Sequence, residues 1–98
     1  MLNKSVIKVN QEEIPQGLVN EVRYLQFEVM KEEPQFLLMY SSGIEYCMLD
    51  LRDLSEIGRG RVKTFLEKVK VRRIPCVDIA YDQAIAQKWF GVSINVEG

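Results

Sequence analysis

One stretch of the chain, "FLLMYSSGIEYCMLDL", constrains the fold more than any other. It contains two runs rich in aromatic and long apolar residues, 36–40 and 44–51, separated by "SSG". Gly43 can supply the positive φ that a tight hairpin turn requires. In the second run both alternating faces are largely apolar, as in a strand with neighbours on both sides. The pattern predicts an antiparallel hairpin whose second strand is central in its sheet.

The segments before the hairpin also favour strands. "SVIKVN" (5–10) alternates β-branched and polar residues and predicts a short strand. Residues 18–30 fit two patterns, because their apolar residues recur at helical spacing and also alternate with Gln26 and Glu28. The aromatic and β-branched content favours a strand over residues 22–30. A helix there would instead produce the β-α-β order of a ferredoxin-like fold.

A helix is predicted over about residues 61–70. Its apolar residues recur at i, i+3, i+4 and i+7, as on one face of a helix: Val62, Phe65, Leu66 and Val69. The preceding "LSEIGRG" is interpreted as a turn or as a short helical turn capped by Ser55. The stretch "LSEIGRGRVKTFL" also resembles a shortened helix-hairpin-helix signature, whose Gly-x-Gly turn aims backbone amides at a nucleic-acid phosphate. It departs from that signature at Arg59, where the residue is normally apolar.

The last quarter of the chain contains a predicted strand and a following segment that fits two structures. "CVDIAY" (76–81) predicts a strand. The following "DQAIAQKWFGVSINV" fits a short helix capped by Asp82 and ended by Gly91, or a hairpin turning at Gly91. Residues 1–98 are therefore expected to form a single α+β domain. In it, a small antiparallel sheet (a meander) packs on one main amphipathic helix, with a short C-terminal element.

Positive charge is concentrated in one part of an otherwise acidic chain. The formal net charge is −1, yet eight of the 13 lysines and arginines fall in residues 52–73. Arg61, Lys68 and Arg72 are separated by seven and four positions, so a continuous helix would place them on one face. A local positive surface of this kind attracts phosphates or an acidic protein surface.

The residue inventory excludes several kinds of chemistry. There is no histidine, so Ser-His-Asp and Cys-His catalytic sets cannot form within the chain. Two cysteines are too few for a zinc site with four ligands. No phosphate-binding glycine loop is matched, and we expect no cofactor. The remaining enzymatic option is carboxylate-bound magnesium for phosphoryl transfer. The candidate ligands are Asp50, Asp53, Asp78 and Asp82.

These observations favour a small non-enzymatic interaction domain, which binds a protein partner or self-associates as a homo-oligomer. The alternative is a nucleic-acid-binding protein that uses the basic segment 59–73. Its contact residues would be Arg59, Arg61, Lys68, Arg72 and Arg73. A metal-dependent phosphoryl-transfer enzyme is the third hypothesis. Trp89, next to Lys88, is the aromatic residue expected at an interface.

The apolar runs of the chain are short. None reaches the roughly 18 residues that a membrane-spanning helix needs. The first residues also lack the apolar core of a signal peptide. We therefore expect a cytoplasmic protein that does not bind membranes.

Overall fold

A computed structural model describes residues 7–41, 46–72 and 79–97 of the chain. Six strands and three helices lie within these ranges. The elements are β1 (Ile7–Val9), α1 (Leu18–Glu21), β2 (Val22–Met30), β3 (Glu33–Ser41), β4 (Tyr46–Asp50), α2 (Glu56–Lys68), β5 (Lys70–Arg72), α3 (Ile79–Phe90) and β6 (Asn95–Glu97). The α+β class predicted from the sequence is confirmed.

Four of the strands form a mixed sheet in the order β1-β4-β3-β2. The meander β2-β3-β4 is antiparallel throughout, as the hairpin pattern predicts. The strand β1 joins the outer edge of β4 in parallel, so the sheet is not wholly antiparallel. β4 consequently has neighbours on both sides and is central, as its two apolar faces indicate. Ser42 and Gly43 of the predicted turn lie outside the described residues.

The ambiguous segment 18–30 is a strand preceded by one helical turn. Leu25 and Phe27 of β2 are buried, whereas Gln26 and Glu28 between them are exposed. This period of two is that of a strand with one face on the core. The helix α1 has only four residues, so the ferredoxin-like order is not observed.

The main helix α2 begins and ends earlier than predicted, at Glu56 and Lys68 instead of about 61 and 70. Ser55 caps it, because its Oγ accepts a hydrogen bond from the Gly58 amide at 2.9 Å. Both glycines of "GRG" therefore lie inside the helix and not in a turn. Val69 already has extended backbone, and β5 follows directly.

The chain after Arg72 differs most from the sequence prediction. Residues 76–78 of the predicted strand lie outside the described ranges, and residues 79–81 are the first turn of α3. A strand is therefore wrong for that part, because α3 buries residues at helical spacing: Asp82, Ile85, Ala86 and Phe90. The helix ends before Gly91, whose φ is +67°, as one alternative predicts. The cap predicted at Asp82 is wrong, because Asp82 lies inside the helix.

A second, two-stranded sheet completes the structure. β5 and β6 pair in parallel, and β5 also lies close to β2. Side chains connect this sheet to the helices. Gln83 exchanges two hydrogen bonds with the backbone of Ile94, at 2.7 and 2.8 Å, and the Asn95 amide donates to the Glu67 carbonyl at 2.9 Å. The helices and both sheets thus share one buried apolar cluster.

The two glycines of α2 are predicted to respond in opposite ways to alanine. A Cβ at Gly58 would overlap the Gln11 side-chain amide, whereas nothing lies within 4 Å of one at Gly60. Gln11 Oε1 accepts from the Ser55 amide at 3.0 Å, and Nε2 donates to the Asp50 and Arg52 carbonyls. We expect Gly60→Ala to raise the free energy of unfolding by about 0.5–1 kcal/mol. Gly58→Ala should lower it by about 1 kcal/mol, because Gln11 loses these bonds.

Chemical denaturation of both variants, with and without Gln11→Ala, measures the difference. With Gln11 removed, Gly58→Ala should become stabilising like Gly60→Ala. Equal effects of the two glycine substitutions in the presence of Gln11 would contradict this assignment.

Candidate functional site

Two adjoining cavities form a groove along one side of α2. The first, the apolar lobe, has a volume of about 230 Å³. Its walls come from the loop before α1, from α1 and from α2: Ile14, Pro15, Gln16, Val19, Arg61, Thr64, Phe65 and Lys68. Ile14, Pro15 and Val19 supply apolar surface, and Arg61 and Lys68 supply positive charge at its border. The apolar lobe is therefore suited to a ligand that is part apolar and part anionic.

The second cavity, the cationic lobe, has a volume of about 240 Å³. It shares Val19 and Lys68 with the apolar lobe. Its other lining residues are Asn20, Arg23, Lys70, Arg72 and Glu97. Four cations and one anion thus surround a space large enough for a phosphate-sized group. The two lobes together are called the basic groove below.

The basic groove arises because the chain changes its period at Val69. On α2, Arg61 and Lys68 are two turns apart and lie on the same side. The strand β5 then alternates, so Lys70 and Arg72 are exposed together while Val71 is buried between them. Lysine and arginine at these four positions consequently line a continuous surface on two consecutive elements.

Arg23, at the start of β2, completes the cationic lobe from a distant part of the sequence. Its Nη1 donates a hydrogen bond to the Asn20 carbonyl at 2.8 Å, which orients the guanidinium beside the lobe. None of the four cations that line the cationic lobe forms an ion pair with any residue in the described ranges. Their charge is therefore available to an anionic ligand.

The structure divides the five basic residues predicted from the sequence. Arg61 and Lys68 line the apolar lobe, and Lys68 and Arg72 line the cationic lobe. Arg59 lies on the opposite side of α2 from Arg61, because two positions along a helix correspond to about 200° of rotation. Arg73 lies outside the described residues. Sequence reasoning missed Arg23 and Lys70 as members of the basic groove. Alternation after an earlier helix end would have indicated Lys70, but no local pattern indicates Arg23.

Arg59 joins α2 to the end of α3. Its Nη1 donates to the Trp89 carbonyl at 2.7 Å, and its guanidinium lies 5.8 Å from the centre of the Phe90 ring. Trp89 itself is half-buried, with the Lys88 ammonium 5.8 Å from its ring centre. The buried Trp89 Nε1 has no hydrogen-bond acceptor among the described residues. Trp89 thus lies at a helix–helix contact and not in the basic groove.

The candidate metal ligands do not converge. Asp50 accepts hydrogen bonds from the Arg52 guanidinium at 2.9 and 3.0 Å, and these hold the pKa of Asp50 below its usual value. Asp82 is buried on α3 and its Oδ1 accepts from the Phe27 amide at 2.9 Å. Asp50 ends β4 and Asp82 bonds to β2, and β3 lies between these two strands in the sheet. Asp53 is exposed, and Asp78 lies outside the described ranges. Within those ranges no three acidic or cysteine side chains could hold a metal ion.

Comparison with solved structures identifies a fold that this chain shares. Three crystal structures of the EXD2 exonuclease domain superpose on it, with TM-scores of 0.61, 0.62 and 0.54 at sequence identities of 14%, 17% and 12%. The first two come from crystals soaked in GMP with manganese or magnesium. Each comparison covers 94% of this chain, which spans about half the length of the solved domain. Comparisons with protein families and with curated proteins find no match.

This similarity corrects the functional prediction made from the sequence. A non-enzymatic domain for protein partners or self-association is contradicted, because the matching fold is that of an exonuclease domain. The prediction relied on missing histidines and missing motifs. A fold can be shared at 14–17% identity, where short sequence motifs need not be recognisable.

The crystals of the EXD2 domain were soaked in manganese or magnesium, which carboxylates commonly bind. The described carboxylates do not fit a metal centre, since Asp50 is paired with Arg52 and Asp82 with a backbone amide. No catalytic step is therefore assigned to them.

The described helices are too short or too polar to cross a membrane.

The buried Asp82 is predicted to stabilise the fold through its bond to β2. Asp82→Ala leaves the Phe27 amide without this acceptor, which should lower the free energy of unfolding by about 1–3 kcal/mol. Asp82→Asn keeps a side-chain oxygen and should lose less. Glu67→Ala, which removes an exposed carboxylate from α2, should change stability by less than about 0.5 kcal/mol.

Thermal unfolding of the three variants tests this role. One kcal/mol corresponds to about 4–8 °C in a domain of this size. If Asp82→Ala unfolds at the same temperature as Glu67→Ala, the hydrogen bond to Phe27 does not stabilise the structure.

Proposed function

We propose that this chain is a nuclease-type domain that binds the phosphodiester backbone of nucleic acid in its basic groove. The observation that carries the proposal is the convergence of Arg23, Lys68, Lys70 and Arg72 on one cavity. Unpaired cations around a phosphate-sized space are the electrostatic signature of a phosphate-binding surface. The shared exonuclease-domain fold supports a nucleic acid as the source of that phosphate.

The net charge of the chain requires the contact to be local. At −1 overall, the protein has no bulk attraction to a polyanion. The basic groove offers a net charge of +3 within the cationic lobe, from four cations and Glu97. Binding should therefore be confined to this side of the molecule and weaken steeply with salt, because each phosphate contact releases condensed counterions.

Hydrolysis of a phosphodiester is the reaction class that a nuclease-type fold serves. The groove residues contribute binding and orientation to such a reaction. Lysine and arginine side chains neutralise the phosphate, and Arg61 together with Lys68 borders the place where the neighbouring part of a nucleotide would lie.

Neutralising two groove residues tests the proposal. We expect Lys68→Gln combined with Arg72→Gln to reduce affinity for a labelled single-stranded oligonucleotide by about tenfold or more at low salt. The slope of log K against log salt should become shallower by about 1.4, the contribution of two phosphate contacts on a single strand. Fluorescence anisotropy across a salt series measures both quantities.

The matched control is Lys63→Gln with Lys88→Gln, which removes the same charge from exposed positions on α2 and α3 outside the basic groove. It should bind nearly as the wild type does. Equal losses in the two double variants, or no binding by the wild type at low salt, would show that the basic groove is not a nucleic-acid site. Shortening of the labelled strand in magnesium or manganese would demonstrate the hydrolytic reaction directly.

A further inference from the structure

The apolar lobe is a feature that phosphate binding does not explain. Its walls include Ile14 and Val19, which are half-buried, and Pro15, which is exposed. A surface that only contacted the backbone of a nucleic acid would need cations and hydrogen-bond donors. Apolar side chains beside a phosphate-binding lobe instead favour a ligand with an apolar ring next to its phosphate.

In a nucleic acid, that ring is a base, and its accessibility depends on pairing. A duplex stacks its bases inside and presents phosphates and base edges to a protein. A single strand can turn an unpaired base into an apolar cavity while its phosphates remain on a cationic surface. The arrangement of the two lobes therefore discriminates between a single strand and a duplex.

The two lobes together reach the size of an ordinary small-molecule site. Each lobe, at about 230 or 240 Å³, is smaller than the roughly 300–1,000 Å³ of an ordinary small-molecule site. The lobes adjoin along Val19 and Lys68, and only their joint volume enters that range. A base in one and a phosphate in the other would use both.

From this geometry, and on the basis of the function proposed above, we propose that the basic groove binds single-stranded nucleic acid. One unpaired base lies in the apolar lobe, and the adjoining phosphate lies in the cationic lobe. Lys68, which lines both, is placed to contact the link between them.

The polar residues of the apolar lobe predict little preference among bases. Gln16 and Thr64 are the uncharged polar side chains on its walls. An amide and a hydroxyl can each donate or accept a hydrogen bond, so they can pair with the edge of any base. In the cationic lobe, Glu97 is the neighbour of Arg72 in the β5–β6 register and leaves three positive charges in excess.

The experiment compares one variant with the wild type on three labelled ligands. These are a short single strand, the duplex of the same sequence, and a fully abasic strand with the same number of phosphates. Ile14→Asn makes a wall of the apolar lobe polar and leaves every cation in place. We expect the wild type to bind the single strand about tenfold more tightly than the abasic strand, because the abasic strand lacks the base that contacts the apolar lobe. In Ile14→Asn the ratio of these two affinities should fall close to one.

Binding of the abasic strand and the duplex should be the same in both proteins, which also shows that the variant is folded. Three results would overturn the inference: equal wild-type affinity for the single strand and the abasic strand, an unchanged ratio in Ile14→Asn, or tighter binding of the duplex that Ile14→Asn weakens. In each of these the phosphate-binding function stands. Failure of the wild type to bind any of the three ligands would instead contradict the proposed function itself.

Discussion

The structure depends on how the outer edge of β2 is covered. β2 ends the four-stranded sheet, and an open edge leaves backbone amides without partners. Asp82 of α3 satisfies the Phe27 amide from that side, while the Phe27 and Phe90 rings stack at 6.4 Å between centres. Asp82 is only 3% exposed, so this bond is shielded from competing water. β5 also lies beside β2, and Lys70 and Arg72 line the same cavity as Arg23.

The basic groove forms where α2, β5 and the start of β2 meet. α2 contributes Arg61 and Lys68, and the change from helix to strand at Val69 adds the two cations of β5. Repulsion among like charges at close range costs stability, but exposure to water keeps that cost small. Ile14 and Pro15 before α1, together with Val19 of α1, supply the apolar wall that distinguishes the basic groove from a simple basic patch.

The relation to the EXD2 exonuclease domain concerns the fold. This chain spans about half the length of that domain at low identity. The aspartates that suggested metal chemistry serve structural purposes in the described ranges: Asp50 pairs with Arg52, and Asp82 bonds to the backbone of β2. The proposed nucleic-acid binding therefore rests on the basic groove, and the comparison adds only a fold shared with an exonuclease domain.

The sequence by itself determined the α+β class, the β3–β4 hairpin and the central position of β4, and it favoured a strand for β2 while leaving a helix open. These follow from alternation and helical periodicity, which are local consequences of backbone geometry. It also located the excess of positive charge in residues 52–73. Only the tertiary structure decided that residues 79–81 begin a helix, because burial of Asp82 against β2 is a contact between distant segments. Likewise, only the structure separated Arg59 from Arg61 and added Arg23, since spacing along the chain does not determine which elements pack side by side.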